Sequence, residues 1–341
     1  MDADDGRGEA DSQDGDEDGN EDDGGRGEKG GIEVLPDRSS VLQQGTRLAK
    51  PCIMAAPNFA PEQSDAPAIY ARALRALEAA GSPFLLGGAW AFAYHTGIER
   101  TTKDLDLVIR RSDFASVAAV LEAAGFETAL TYPHWLGKAR NGEVFIDLIF
   151  NSGNGMTAVD DEWFRGNGRT DVLGVAVDVV PVEELIWSKS FVMERERFDG
   201  AEVLHLLRDC AAHLDWERLL RRFGGHWRVL LAHLVLFGYV YPDEQLRLPE
   251  SLLVRLIERF DTERWLLQGG HLADAGSGAG SERVCRGTML SREQYLHDVE
   301  RDGYRDARRL PPATMSAREL EIWTRAIGQP ESSPGTVRTR A

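Results

Sequence analysis

Arg100-Thr101-Thr102-Lys103-Asp104-Leu105-Asp106-Leu107-Val108-Ile109 is the stretch on which the reading of this chain turns. Its alternation and its β-branched end predict a strand over 103–109. Successive side chains on a strand point to opposite faces. Asp104 and Asp106 therefore share one face, while Leu105 and Leu107 turn into the core.

A third carboxylate follows in Val144-Phe145-Ile146-Asp147-Leu148-Ile149-Phe150, a strand that is otherwise wholly apolar. A lone carboxylate there is costly to bury unless it binds a cation or several donors. Two strands of one sheet would then present Asp104, Asp106 and Asp147 at a common edge, with hard oxygen ligands suited to Mg²⁺. Upstream, the apolar run Phe84-Leu85-Leu86 passes into Gly87-Gly88, and a helix is expected over 89–95. Glycines let backbone come close to a phosphate, and the first N–H groups of a helix point at an anion. The same pair would serve equally as a tight strand-to-helix turn.

Further elements extend outward from this centre. A helix from Ala68 to Ala80 is closed by Gly81 and Pro83, and another over 112–124 ends at Gly125. Strands are expected at 126–131, 134–140 and 143–150, the last two joined at Asn141-Gly142, a strong hairpin signal. A further strand covers Val172–Val179. Beyond Pro181 the apolar spacing becomes helical, over 182–193, 199–212, 215–222, 227–239, 249–260 and 316–327. The fold class is α+β: a small mixed sheet with flanking helices (66–180), followed by an all-helical domain (181–328). Residues 1–65 are expected to be a disordered acidic tail and linker, and 329–341 a frayed end.

The net charge is −17, and thirteen Asp and Glu against three Arg and Lys fall within residues 1–30. Most of the acidity thus belongs to the tail rather than to the folded part. No positive, apolar leader and no run of about 18 apolar residues is present, so no signal and no membrane span are expected. Cys52, Cys210 and Cys285 are few and scattered, which argues against a disulfide framework or a structural zinc site. A cytoplasmic location is the expectation.

Gly87-Gly88-Ala89, then His95-x-Gly97-x-x-Arg100-Thr101-Thr102-x-Asp104-Leu105-Asp106-Leu107, resembles the signature of the nucleotidyltransferase superfamily. Within it the likeness is to the branch of abortive-infection-type toxin nucleotidyltransferases and of lincosamide and aminoglycoside nucleotidyltransferases. The resemblance covers about residues 66–215. It implies that Asp104 and Asp106 bind two Mg²⁺ ions, and that Asp147 completes the metal site or acts as general base. It also implies that Gly87 and Gly88 hold the nucleoside triphosphate, with Arg100 as a phosphate contact. The segment Lys189-Ser-Phe-Val-Met-Glu-Arg195-Glu-Arg197-Phe-Asp199 resembles one that follows the catalytic domain in that branch, where a lysine would reach the triphosphate. Asp199 either orients Lys189 or Arg197, or caps the next helix, which is the commoner role.

Asp-x-Asp motifs of glycosyltransferases and of phosphatases with an aspartyl nucleophile usually close an apolar strand. Here the acids open theirs, which fits nucleotidyl transfer better. A catalytically silent binding or antitoxin module on the same fold is the alternative, and the presence of all three carboxylates favours an enzyme. The acceptor stays open among a transfer RNA, a small molecule and a protein, and a cognate antitoxin is a possible partner of that branch.

Overall fold

The computed structural model describes residues 65–99, 102, 104–268 and 283–325. Of the tails expected at 1–65 and 329–341, all but Asp65 lies outside these residues. Tyr70, Ala73, Leu74 and Leu77 recur at helical spacing and are buried, giving α1 (Ala66–Ala79) one apolar face. β1 (Leu85–Leu86) leads through Gly87 into α2 (Gly88–Thr96), and β2 (Leu105–Val108) follows. Next come α3 (Phe114–Ala123), β3 (Glu127–Tyr132), β4 (Leu136–Asn141) and β5 (Val144–Ile149). Gly142, at φ +62°, makes the β4–β5 turn that Asn141-Gly142 foretold.

Where one strand was expected over 172–179, the chain forms a hairpin, β6 (Gly168–Val172) and β7 (Val175–Val179). Leu173 and Gly174 both adopt positive φ, and the Asp171 carboxylate accepts from the Gly174 N–H at 3.0 Å. Leucine is an unusual residue for such a turn, which hid the reversal in the sequence.

The seven strands form one mixed sheet in the order β3-β4-β5-β2-β1-β7-β6. β2 is parallel to β5, with Asp106 opposite Asp147, and β5 is antiparallel to β4, with Asp147 opposite Lys138. On β5 the residues Val144, Ile146 and Leu148 are buried while Phe145, Asp147 and Ile149 are half-buried, so the alternation puts Asp147 on the less covered face. The sheet is thus built to carry a polar row across its middle.

The helices that follow are α4 (Val182–Lys189), α5 (Gly200–Cys210), α6 (Trp216–Phe223), α7 (Trp227–Val240) and α8 (Glu250–Gln268). The last is longer than the sequence spacing suggested. A final segment holds β8 (Val284–Cys285), α9 (Leu296–Glu300), β9 (Arg305–Asp306) and α10 (Ala317–Arg325), with β8 and β9 paired in parallel. A single cluster of buried apolar side chains runs from Ala66 to Ala313. Fully buried Glu184 on α4 receives Arg218 and Arg222 of α6 at 2.9 and 2.8 Å, and the Arg222 guanidinium also grips Asp160. No helix among the described residues is long and apolar enough to cross a membrane.

Candidate active site

Asp104, Asp106 and Asp147 converge. Each offers a carboxylate oxygen, and the three lie within 4.8 Å of one another. Asp104 is set by Thr102, whose hydroxyl bonds the Asp104 backbone carbonyl at 2.9 Å and the carboxylate Oδ1 at 3.0 Å. Asp106 and Asp147 are brought together by the β2–β5 register. Three hard oxygen donors at this spacing suit a divalent cation.

Gly87 and Gly88 stand against Asp106. The Gly87 N–H donates to the Asp106 carbonyl at 2.9 Å, and Gly88 adopts φ +52°. A Cβ on Gly88 would fall 1.6 Å from Asp106 Oδ2. The first turn of α2 therefore opens directly onto the carboxylate cluster, which puts the positive end of the helix beside its negative charge.

Packing three carboxylates together perturbs the middle one. Burial first, then the charges of Asp104 and Asp147, push the Asp106 carboxyl up to about 8, against the opposing pull of Lys189 and Arg197. The phenol of Tyr70, fully buried on α1, is also raised, by burial first and then by all three aspartates.

Lys189 ends α4 and its ammonium pairs with Glu202 and, at 3.5 Å, with Asp199 Oδ2. Arg197 forms a two-pronged pair with Asp199, at 2.9 and 3.0 Å. Burial works against the ionised Asp199, yet the Arg197 bonds and the Lys189 charge outweigh it and hold the group below the usual carboxylate range. Asp199 heads α5 but makes no side-chain cap bond; its oxygens are taken by the two cations, which corrects the capping role. Arg100 lies outside the described residues.

Two contributors escaped the sequence. Lys138 on β4 places its Nζ 2.9 Å from Asp147 Oδ1. The scarcity of lysine in the chain was the available signal, together with the position of Lys138 in the strand facing Asp147. The second is the C-terminal segment. Glu194 receives the Ser291 hydroxyl at 2.6 Å and the Arg292 N–H at 2.8 Å, which pins the loop that bears Arg197. Nothing in the spacing of residues 283–325 announced this return.

Residues 67–264 match the model of a family described as nucleotidyl transferase of unknown function (DUF2204). The chain belongs to that nucleotidyltransferase family. Parts of this nucleotidyltransferase are similar to solved structures. One is the antibiotic-resistance factor ANT(2'')-Ia, at 19% identity over 49% of this chain and 95% of that one, with a TM-score of 0.34. Another is the lincosamide antibiotic adenylyltransferase LnuA in its lincomycin-bound form, at 15% identity over 44% and 97%, with a TM-score of 0.31. A third is JHP933 from Helicobacter pylori, at 12% identity over 62% and 99%, with a TM-score of 0.30. No curated protein sequence matches the nucleotidyltransferase.

Proposed function

We propose that the enzyme moves a nucleoside monophosphate from a nucleoside triphosphate to an acceptor hydroxyl, releasing pyrophosphate, with Mg²⁺ held by Asp104, Asp106 and Asp147. The observation that carries this reading is the convergence of one oxygen from each aspartate within 4.8 Å. A bound Mg²⁺ pair supplies charge neutralisation of the triphosphate and polarisation of its phosphoryl oxygens.

The protein's own part is positional. Thr102 fixes Asp104, the Gly87-Gly88 turn fixes Asp106, and the β2–β5 register fixes Asp147. Holding the reacting groups at set distances removes entropy from the barrier, and a preformed charge cluster needs little reorganisation at the moment of transfer. Gly87, Gly88, Lys189 and Arg100 are the nucleotide contacts in this reading. Lys189 lies close enough to act on the charge of Asp106. A small molecule and a transfer RNA are the acceptors proposed, with the helices from α4 onward selecting between them. Convergence of all three carboxylates favours an active enzyme over a silent binding module.

The test incubates the protein with each α-³²P-labelled triphosphate, Mg²⁺ and small-molecule or RNA fractions. Label should pass to one fraction, and Asp104→Asn and Asp106→Asn should each reduce the transfer at least about a hundredfold. Wild-type rates in both variants would sink the assignment.

A further inference from the structure

Lysine is rare in this chain, at positions 29, 50, 103, 138 and 189 among 39 basic residues. The two within the described residues, Lys138 and Lys189, both stand at the aspartate cluster. Lys189 acts on Asp106 while bound to Asp199 and Glu202. Lys138 contacts the cluster itself. Its Nζ lies 2.9 Å from Asp147 Oδ1, with the two side chains only 18% and 13% exposed, so solvent screens the pair weakly. Strand register sets Asp106, Asp147 and Lys138 in one row across β2, β5 and β4. The ring of Phe145, two residues before Asp147 on the same face of β5, supports the ammonium at 4.6 Å.

We propose that Lys138 is a tethered counter-cation, which holds Asp147 in the metal-free enzyme and transfers to the phosphate oxygens when metal and nucleotide occupy the cluster. This rests on the metal–nucleotide reading of the site given above. Three carboxyl groups within 4.8 Å of one another cannot all carry charge cheaply without a cation among them. An ammonium on a flexible four-carbon stem can supply that charge and let go. A guanidinium, locked to a carboxylate by two parallel bonds, releases less readily. The ion pairs of Asp113, Asp160, Asp161 and Asp178, in the sheet and its flanking loops, use arginine, whereas Asp147 takes a lysine.

The charge of Lys138 has opposite effects on the two ligands. Toward a metal ion alone it is a like charge competing for Asp147, so it weakens binding. Toward the highly anionic triphosphate it is an attraction. A lysine that merely props up β4 would not separate these two effects.

The experiment uses the full chain, with Lys138→Met and with Lys138→Gln, which retains a hydrogen-bond donor toward Asp147. Binding of Mn²⁺ alone is read from the free-ion electron paramagnetic resonance signal. Binding of the four α,β-non-hydrolysable triphosphates, each tested singly with Mn²⁺, is read by calorimetry. Both variants should bind Mn²⁺ alone about three- to tenfold more tightly than wild type, and the nucleotide about tenfold more weakly. Unchanged Mn²⁺ binding, or a parallel loss of both ligands in both variants, overturns the proposal and leaves the site assignment standing. If wild type binds neither probe, or Asp104→Asn leaves Mn²⁺ binding intact, the metal–nucleotide reading fails and this inference with it.

Discussion

A Cβ added to Gly88 would lie 1.6 Å from the Oδ2 of Asp106. No real side chain tolerates that separation, and the φ of +52° adds backbone strain for any other residue. Gly88→Ala should therefore displace the Asp106 carboxylate by about an ångström or distort the start of α2. A shift of that size in a reacting group costs about a hundredfold in rate. The expected result is transfer reduced at least a hundredfold, with a far-ultraviolet circular dichroism spectrum close to wild type. A variant with more than a tenth of wild-type activity would show that the glycine is only a turn.

The elevated Asp106 carboxyl gives stability a pH dependence of definite sign. Unfolded, the group ionises near 4; folded and metal-free, it stays protonated up to about 8, because of burial first and then of Asp104 and Asp147. Between those values the folded state binds the extra proton, so this group lowers stability as pH rises from about 4 to 8 and adds no further loss above. Asp106→Asn removes that contribution. In chelator at pH 8 the variant should melt at least about 2 °C above wild type, with the gap closing toward pH 4. Excess Mg²⁺ should abolish the variant's advantage. Melting curves that keep the same offset at every pH would contradict the shift.

Glu184 is fully buried and accepts from both Arg218 and Arg222. Removing one member of such a group leaves buried charge without a partner. Glu184→Ala should lower stability by about 3 kcal/mol, read as a shift of the urea midpoint at unchanged slope.

Trp323 of α10 packs edge-on to Tyr132 and Trp135, with ring centroids 5.1 and 5.5 Å away. A Cβ on Gly153 would meet its ring at 2.5 Å. Trp323→Ala and Gly153→Val should each cost about 1–3 kcal/mol. Both should also speed protease cleavage within 283–325. Equal cleavage rates in the variants and wild type would mean that the segment is held by other contacts.

Much of this arrangement was legible beforehand because it rests on local periodicity. The alternation around Asp104 and Asp106, the apolar surroundings of Asp147 and the Asn141-Gly142 turn each carry their meaning within a few residues. The hairpin at Leu173-Gly174 did not, since a leucine at positive φ is imposed by the surrounding sheet and not by its own preference. Lys138 was hidden because its role depends on the β4–β5 register, and Asp199 because its partners compete with the cap. The return of residues 289–292 to Glu194 is a contact across about a hundred residues, for which local pattern holds no sign.

The row formed by Asp106, Asp147 and Lys138 ties the proposed metal site to correct assembly of the sheet. If β5 paired one residue out of step, Ile146 or Leu148 would replace Asp147 in the row, and the carboxylate would be driven into the oily side of the sheet. Such a slipped molecule would be both inert and unstable. On the metal reading proposed above, one pairing error would remove stability and activity together, so a slipped copy would not persist as a stable but defective catalyst.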